Sequence, residues 1–474
     1  MQKIEKEDMQ GLIVRSYKKL QVARFMLLSI QDAPQAKKYL KSIIPQVTTA
    51  ATSPDHFALQ LAFTSPGLKK FGLPDAALAS FPREFLEGMH DPLRAFLLGD
   101  QNANQPTHWN WGGPNNEEVH LIMLCYAKEE SAIDEWMDSQ KGIFQQQGIS
   151  IIKEQKTQWL PDAREHFGFR DGISAPVAEG FRDSSEEPNP IKAGEFVLGY
   201  SNEYDQFTES PVVKALYDQH DLLPSSTEDP AFKDIGKNGT YVVYRQLAQY
   251  VYEFWKYLAA NSKEPAPTPL AAAVKLGAKI IGRWPSGSPL VLSPDQSDPT
   301  LDNSNDFAYS KEDPDGMKCP FGAHIRRTNP RDKLFARSQE VSIEMIRKHQ
   351  ILRRGRSYGL PLVPSMEPQD VLASKDDGKE RGLHFICLAG NLNRQFEFIQ
   401  NAWVKGQTLA GLFKDADPIL AARHVDGQPA NDQFTCPASP VRRKYKDMPQ
   451  FTRVMGGAYF FMPGIRSLQF IINC

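Results

Sequence analysis

An aspartate between two glycines is the first residue of this sequence whose setting suggests chemistry. It stands in the stretch FGFRDGIS, residues 167–174, where Gly168 lies three residues before Asp171 and Gly172 directly follows it. A carboxylate can act as a general acid or base, and glycines let the backbone approach a flat group closely. The same Asp-Gly pair is also the commonest signature of a tight turn. These residues alone leave both interpretations open, and the turn is the commoner of the two.

A histidine is the second residue that could do chemistry. His324 lies in CPFGAHIRRTNPRD, residues 319–332, where two small residues precede it and three arginines follow, among them Arg331. An imidazole can ligate a metal, and the small neighbours would admit a large flat group. A structural histidine beside an exposed basic run explains the same residues. Zinc is a weaker alternative, because Cys319 and His324 are only two ligands without a second pair at matching spacing.

A second basic run, ILRRGRSYG at residues 351–359, contains Arg353. Such a run can bind nucleic acid, but the chain is nearly neutral, with 55 basic and 57 acidic residues and a formal net charge of -2. It also contains no recognisable nucleic-acid-binding module, so we predict no nucleic-acid partner. Further along, Leu383 and Phe385 alternate on one strand face. Taken alone, that alternation is typical of an ordinary core.

The composition is that of a soluble globular protein with more than one domain. The 474 residues exceed the size at which one core usually stops growing, and 41% of them are hydrophobic. No stretch approaches the roughly 20 apolar residues of a spanning helix, and the N-terminus lacks the apolar core of a secretory signal. The five cysteines are too few and too scattered for a disulfide framework. We therefore predict a cytoplasmic protein without a membrane partner.

Hydrophobic patterning predicts the elements that must position these residues. Strands are expected at 23–32, 56–64, 119–127, 239–247, 381–391 and 452–464. Helices are expected after several of them, including one at 394–404, and an alternating strand leads directly into FGFRDGIS. The proline-rich segment 175–193 predicts a domain boundary, and the long polar stretch 285–316 predicts a functional or mobile loop. Units of the β-α-β type in both halves favour an α+β fold with antiparallel sheets.

Seven segments, taken in order, resemble the dye-decolourising peroxidases, a family of haem enzymes. They are GFRDG (168–172), GEFVLGYSNEY (194–204), NGTYVVYRQL (238–247), CPFGAHIRRTNPR (319–331), RRGRSYG (353–359), RQFEFIQ (394–400) and GGAYFFMPG (456–464). The set spans almost the whole chain and is most similar to the larger, bacterial-type members. The resemblance implies an α+β fold of two ferredoxin-like halves with antiparallel sheets and peripheral helices. Residues 1–180 would form the first half, ending in GFRDG, and residues 181–474 the second, with the haem pocket.

The resemblance implies three residues at the centre of a haem b site. His324 matches the proximal ligand of the iron, Asp171 the distal acid and Arg353 the distal arginine. An unperturbed aspartate has a pKa of about 3.9, so Asp171 would remain a base in mildly acidic solution and could move a proton between the oxygens of hydrogen peroxide. Arg353 would stabilise charge on the departing oxygen and keep Asp171 ionised.

Four further residues are implied to contact the cofactor. Leu383 and Phe385 match the apolar distal wall, Arg331 is a weaker match for an arginine that binds a propionate, and Gly172 lets the turn lie on the macrocycle. At one position the chain departs from the family, because many relatives carry an acid beside RQFEF where this sequence has Asn393. The group that hydrogen-bonds the proximal histidine is therefore not predicted.

The function implied is that of a haem peroxidase, which uses hydrogen peroxide to oxidise bulky donors such as dyes and phenols by one-electron steps. Because the distal wall leaves little room, such donors are expected to pass electrons through surface tyrosines or tryptophans. Two alternatives stay open: a haem-binding protein for iron handling, storage or sensing, and an interaction protein that binds no haem. No feature of the sequence predicts an oligomeric state.

Overall fold

Strands occur along the whole length of the chain. The computed structural model describes residues 3–181, 189–334, 337–423 and 431–474. Within these ranges the strands are β1 (Val22–Ile30), β2 (Phe57–Phe63), β3 (Leu121–Ala127), β4 (Ile149–Lys156), β5 (Val212–Lys214), β6 (Phe232–Asp234), β7 (Thr240–Gln249), β8 (Leu352–Arg353), β9 (Arg356–Tyr358), β10 (Gly382–Ala389), β11 (Phe434–Cys436), β12 (Arg443–Tyr445) and β13 (Thr452–Met462).

Helices fill the connections between the strands. In the same ranges the α-helices are α1 (Gly11–Val14), α2 (Ala33–Ile43), α3 (Ser65–Lys70), α4 (Asp75–Leu78), α5 (Arg83–Glu87), α6 (Pro92–Leu98), α7 (Glu130–Gln146), α8 (Val251–Asn261), α9 (Pro269–Ile281), α10 (Tyr309–Glu312), α11 (His324–Thr328), α12 (Gln339–Arg347), α13 (Pro368–Ala373) and α14 (Ile465–Asn473). Two π-helical segments, Asn393–Glu397 and Ile399–Val404, follow β10.

Nine of the strands form one antiparallel sheet that runs through both halves. Its order is β4-β1-β3-β2-β13-β7-β10-β8, and β9 pairs with β10. If the strands of each half are numbered along the chain, β4-β1-β3-β2 and β13-β7-β10-β8 both follow the order 4-1-3-2. This is the order of a ferredoxin-like sheet, so the predicted α+β fold with two ferredoxin-like halves is confirmed.

Both faces of β1, β2 and β3 are buried, which explains the continuous apolar runs of these strands. Alternate residues of a strand point to opposite faces. Met26 and Leu28 of β1 belong to the apolar cluster that includes α2 and α7, whereas Phe25 belongs to a cluster shared with the second half. There the rings of Phe25 and Tyr244 meet edge to face, with centroids 6.0 Å apart. The two halves of this sheet are therefore packed on one another through alternate side chains.

The predicted strands are present to within a few residues, but one predicted helix differs in kind. Residues 394–404 were expected to form an ordinary helix, whereas they lie in the two π-helical segments. A π-helical turn carries one extra residue, and such turns are frequent at functional sites. The boundary between 1–180 and 181–474 stays a prediction, since residues 182–188 lie outside the described ranges. In those ranges we find no helix with the length and apolarity needed to span a bilayer.

Candidate active site

One cavity, with a volume of about 480 Å³, brings together every site residue predicted from the sequence. Its walls come from the segment after β4, from β7 and β10, from α11 and from the loop that carries residues 283–305. The seven predicted residues on these walls are Asp171, Gly172, His324, Arg331, Arg353, Leu383 and Phe385. Residues that lie up to 214 positions apart in the sequence, from 171 to 385, thus face one space.

The segment GFRDG forms a turn, and that turn presents a carboxylate to the cavity. Gly168 and Gly172 both have positive φ, of 92° and 78°, which glycine adopts without strain. The amide of Asp171 donates to the carbonyl of Ala163 over 2.8 Å, and the amide of Arg170 donates to Pro285 over 3.0 Å. The turn predicted as the commoner alternative is therefore present, and it does not exclude a carboxylate that faces the cavity.

Asp171 forms an ion pair with Arg353 inside the cavity. The guanidinium Nη1 of Arg353 lies 2.9 Å from Asp171 Oδ1, which also accepts the amide of Gly172 over 2.6 Å. The two side chains remain 43% and 40% exposed because they face the cavity. Burial favours the neutral acid, but Arg353, the Gly172 amide and His324 outweigh it and lower the pKa of Asp171. Asp171 is therefore an ionised base with a fixed orientation.

His324 is oriented by a carboxylate that sequence reasoning missed. Its Nδ1 lies 2.9 Å from Oδ2 of Asp417, which is fully buried. Burial opposes ionisation of Asp417, but His324, Arg327 and backbone amides outweigh it and lower its pKa to about 2. An ionised Asp417 accepts a hydrogen bond from Nδ1–H of His324, which leaves the Nε2 lone pair available as a ligand.

The basic run after His324 is buried, which overturns the alternative of an exposed basic surface. Arg327 is fully buried and donates to the carbonyls of Trp403 over 2.9 Å and Asp415 over 2.8 Å. It thereby joins α11 to the segment that carries Asp417. Arg326 is also buried and pairs with Asp313 over 2.7 Å. These arginines hold the histidine in place and leave no free basic patch at this helix.

Two of the three arginines in the second basic run, residues 351–359, are also buried. Arg354 and Arg356 are buried and donate to backbone carbonyls of the N-terminal segment, residues 12–20. Only Arg353 of the three arginines faces the cavity. The run therefore presents no row of cations to a nucleic-acid backbone.

Two arginines on the cavity wall converge without a carboxylate partner. Arg331 Nη1 donates to the carbonyl of Asn305 over 2.8 Å, and Arg283 Nη2 lies 3.2 Å from the side-chain oxygen of the same residue. Neither arginine forms an ion pair with any carboxylate in the part of the chain that the structure describes. Burial and the neighbouring Arg331 lower the pKa of Arg283 to about 10, so both groups are cations at neutral pH. The pair is suited to a ligand with carboxylates.

The wall formed by β7 and β10 is less apolar than expected. Leu383 and Phe385 lie on β10, opposite Leu247 and Arg245 of β7. Arg245 forms a buried ion pair with Asp100, and both of these side chains also line the cavity. The expectation of an apolar wall therefore holds for the two residues named from the sequence but not for the wall as a whole.

The residues on these walls fit a haem. The cavity is of the size that small-molecule cofactors occupy, roughly 300–1,000 Å³. His324 offers an imidazole nitrogen for iron, and Arg283 with Arg331 offers positive charge for two propionates. Zinc is not supported, because no three His, Cys, Asp or Glu side chains converge as metal ligands among residues with described coordinates.

Asn393, the position where the chain departs from its family, takes no part in this site. Its side chain donates to Glu84 over 2.8 Å on another face of the protein. The carboxylate that contacts His324 belongs instead to Asp417, 93 residues further along the chain. The segment DADP around Asp417 carries no motif that would have marked it.

Comparison with known proteins agrees with the site. The sequence model of the DyP dimeric alpha+beta barrel domain matches residues 8–159. A dye-decolorizing peroxidase from Mycena epipterygia is 30% identical, in an alignment covering 94% of this chain and 83% of that protein. The enzyme from Auricularia auricula-judae is 28% identical over 98% of this chain and 86% of its own.

Solved structures give the same result. An ancestral D-type dye decolorizing peroxidase superposes with a TM-score of 0.79, at 27% identity and with 99% of each chain covered. The crystal structure of the Auricularia auricula-judae peroxidase gives 0.78 at 26% identity, covering 99% of this chain and all of that one. With its two ferredoxin-like halves and a cavity that fits haem, this chain belongs to the dye-decolorizing peroxidase family.

Proposed function

We propose that this peroxidase holds haem b between His324 and Asp171, and that hydrogen peroxide is activated by Asp171 and Arg353. The observation that carries the proposal is that an ionised Asp171–Arg353 pair and an Asp417-oriented His324 line the same cavity. The family supports the reaction class, an oxidoreductase that uses a peroxide, and supports haem as the cofactor.

Five side chains and one glycine would hold the cofactor, and a sixth side chain would orient its ligand. His324 would ligate the iron, while Arg283 and Arg331 would bind the propionates. Leu383 and Phe385 would pack against the distal face, and Gly172 lacks a side chain where the turn approaches it; a Cβ added there meets no protein atom within 4 Å. Ionised Asp417 would strengthen the basicity of His324 by accepting a hydrogen bond from its Nδ1–H group.

Bound haem would supply a metal centre for peroxide and the two electrons that cleavage of its O–O bond requires. The carboxylate of Asp171 would take a proton from one peroxide oxygen and deliver it to the other, which leaves as water. The guanidinium of Arg353 would stabilise negative charge on that departing oxygen. Because Arg353 keeps Asp171 ionised, the base is present before peroxide arrives.

The donors that we propose are dyes, as the relatives' name indicates, together with phenols. A haem carrier for iron handling or sensing is the second candidate, but it has no need of a charged pair aimed into the pocket. The Asp171–Arg353 pair therefore favours the enzyme. Electron transfer through surface tyrosines or tryptophans, and a cytoplasmic location, stay predictions.

The function is tested with purified protein supplied with haem. We expect a Soret band that changes within seconds of mixing with peroxide and returns when a dye or phenol is added, with bleaching of the dye. A Soret band that peroxide leaves unchanged would favour the haem carrier. No Soret band at all would contradict both and favour the interaction protein.

Replacing Arg353 by Met is expected to move the acid limb of peroxide cleavage to higher pH. Asp171 is active when ionised, and its folded pKa lies below the usual value, so wild-type activity is lost only as pH falls through that lowered pKa. Without Arg353 the pKa of Asp171 rises, and protonation removes the base at a higher pH. The measurement is the peroxide kcat/KM as a function of pH.

Arg170 supplies the control for this shift. Its guanidinium contacts Asp162 and Asn303, so Arg170→Met removes a neighbouring cation that does not touch Asp171. If both variants show the wild-type acid limb, Arg353 does not set the ionisation of Asp171.

Replacing Arg283 or Arg331 by Gln is expected to weaken haem binding by about 10-fold or more, because each charge-assisted hydrogen bond contributes about 1.5–3 kcal/mol. The measurement is a haem titration followed by the Soret band, with the melting temperature of the haem-free protein as a check on folding. Arg453→Gln is a matched control, since Arg453 does not line the cavity and donates to Ala103 over 3.1 Å. Unchanged affinity in both cavity variants would place the propionates elsewhere.

A further inference from the structure

Glu165 stands at the beginning of the turn that carries Asp171, and its carboxylate is bound to that turn. Oε2 accepts the amide of Phe167 over 2.9 Å, and Oε1 accepts the amide of Phe169 over 3.1 Å. The backbone repeats the connection, because the Glu165 amide donates to Phe169 over 2.9 Å and the Gly168 amide donates to Glu165 over 2.8 Å. Four hydrogen bonds thus enclose residues 165–169, directly before Arg170 and Asp171.

The enclosed turn has little freedom to adopt another shape. Gly168 has a φ of 92°, and a Cβ added there would lie 2.8 Å from the carbonyl of Met366. The carbonyl of Phe167 accepts the indole N–H of Trp255 over 3.0 Å. Phe169 is buried and stacks on Trp255, with ring centroids 6.0 Å apart. The Glu165 carboxylate is the polar centre of this otherwise aromatic packing.

The same carboxylate connects the turn to the sheet. Gln249, the last residue of β7, donates from Nε2 to Glu165 Oε2 over 2.5 Å, and its own amide donates to Arg381 over 2.9 Å. β7 pairs with β10, and β10 pairs with β8, where Arg353 lies opposite Cys387. Gln249 therefore connects the turn that carries Asp171 to β7, and the paired strands β10 and β8 connect β7 to Arg353.

We propose that Glu165 is a positioning residue for peroxide activation: its carboxylate fixes the 167–171 turn so that Asp171 meets Arg353. The inference rests on the function proposed above for Asp171. Glu165 also lines the cavity, but in the described residues its carboxylate accepts from N–H groups of the turn and of Gln249. These contacts assign it to holding the turn of Asp171 and not to contact with peroxide.

The ionised form of Glu165 is the one that can accept all three N–H groups. Burial raises the pKa of Glu165 to about 7, even though the Phe167 amide, Gln249 and the Phe169 amide lower it, and Asp171 on the same turn raises it further. The cationic or basic side chains that line the same cavity are Arg170, Arg245, Arg283, His324, Arg331, His349, Arg353 and Lys405. A protonated carboxyl group accepts hydrogen bonds through its carbonyl oxygen and donates one through its O–H. A glutamine side chain also has one accepting oxygen and a donating amino group, so Gln imitates the protonated form of Glu165.

The test is Glu165→Gln, which keeps the shape and removes one acceptor. Above neutral pH we expect the peroxide kcat/KM to fall about 10- to 100-fold, the loss that a small misplacement of a reacting group causes. The ratio of wild type to variant is expected to shrink as pH falls below about 7, where wild-type Glu165 becomes protonated. Haem affinity and the KM for the dye are expected to stay unchanged.

A double-mutant cycle separates positioning from a general loss of structure. In the Asp171→Asn background, Glu165→Gln is expected to have no further effect on peroxide cleavage, because the group that it positions is already inactive. An equal loss in both backgrounds would overturn the inference while leaving the peroxidase function intact. A wild-type protein that does not cleave peroxide would overturn the proposed function itself.

Hydrogen exchange gives a readout independent of turnover. In Glu165→Gln, with and without haem, amides in the peptide covering 165–172 are expected to exchange faster, and those of β7 and β10 to stay protected. Unchanged exchange in this peptide would contradict the inference. Glu367→Gln is the matched control: Glu367 pairs with Arg164 over 2.7 Å at the edge of the same segment and contacts none of the turn amides. A milder variant, Gln249→Leu, removes only the contact to the sheet and is expected to show a smaller effect of the same kind.

Discussion

Replacing Asp171 by Asn is expected to lower the rate constant of peroxide cleavage by about 10²- to 10⁴-fold, the usual contribution of a general acid–base group. Asparagine has the shape of aspartate, and its carbonyl oxygen can still accept from Arg353 and from the Gly172 amide. What it lacks is the ability to take a proton from peroxide. The measurement is the initial rate of the Soret change against peroxide concentration in stopped flow, with haem content held equal.

Asp162→Asn is the control for this substitution. Asp162 lies nine residues earlier in the same segment, its side chain is exposed, and its backbone is already in a left-handed conformation that asparagine adopts readily. We expect its kinetics to match those of the wild type. If Asp171→Asn also leaves peroxide cleavage unchanged, the proton is carried by Arg353 or by water, and the role assigned to Asp171 is wrong.

The residues that the sequence brought to attention belong to motifs in which several atypical features coincide. Asp171 lies between two nearby glycines, Gly168 and Gly172. His324 and Arg353 stand in basic runs that are unusual for a nearly neutral chain. All of them face the cavity. Their physical setting was harder to predict, because a basic run looks the same whether it is exposed or, like Arg327, buried among backbone carbonyls.

The residues that sequence reasoning missed act from a distance along the chain. Asp417 lies 93 residues after the histidine that it orients. Arg283 stands two residues after α9 and meets Arg331 at Asn305 and Phe307, which lie in the long polar loop. Glu165 had no signal beyond its place before the turn. Single acids and arginines of this kind are indistinguishable from surface residues until the fold brings their partners together.

The fold was more predictable than the site because it depends on repeated patterns. Continuous apolar runs predicted the strands, and their β-α-β grouping predicted two α+β halves. The joining of both halves into one sheet depends on the single pair Phe461–Phe63 between β13 and β2, which no local pattern indicates. The π-helical segments after β10 were also beyond reach, since their apolar spacing resembles that of an α-helix.

Replacing His324 by Ala is expected to abolish peroxide cleavage and to weaken haem binding strongly, because the iron loses its only protein ligand in the proposed site. The haem-free protein should also become less stable. His324 Nδ1 is the side-chain donor to the buried carboxylate of Asp417, and leaving a charged group with an unmade hydrogen bond costs about 1–3 kcal/mol. Haem titration measures the first effect, and the free energy of unfolding in denaturant measures the second.

The double variant His324→Ala, Asp417→Asn separates these two effects. Asparagine removes the unpaired buried charge and keeps the oxygen that accepts the amides of Ile419 and Leu420, so the free energy of unfolding is expected to return toward the wild-type value. Haem binding and peroxide cleavage should remain lost, since neither can be restored without the imidazole. If the single variant instead binds haem as tightly as the wild type and still cleaves peroxide, then the iron ligand lies elsewhere. In that case the Asp417–His324 pair is a structural hydrogen bond beside the cavity.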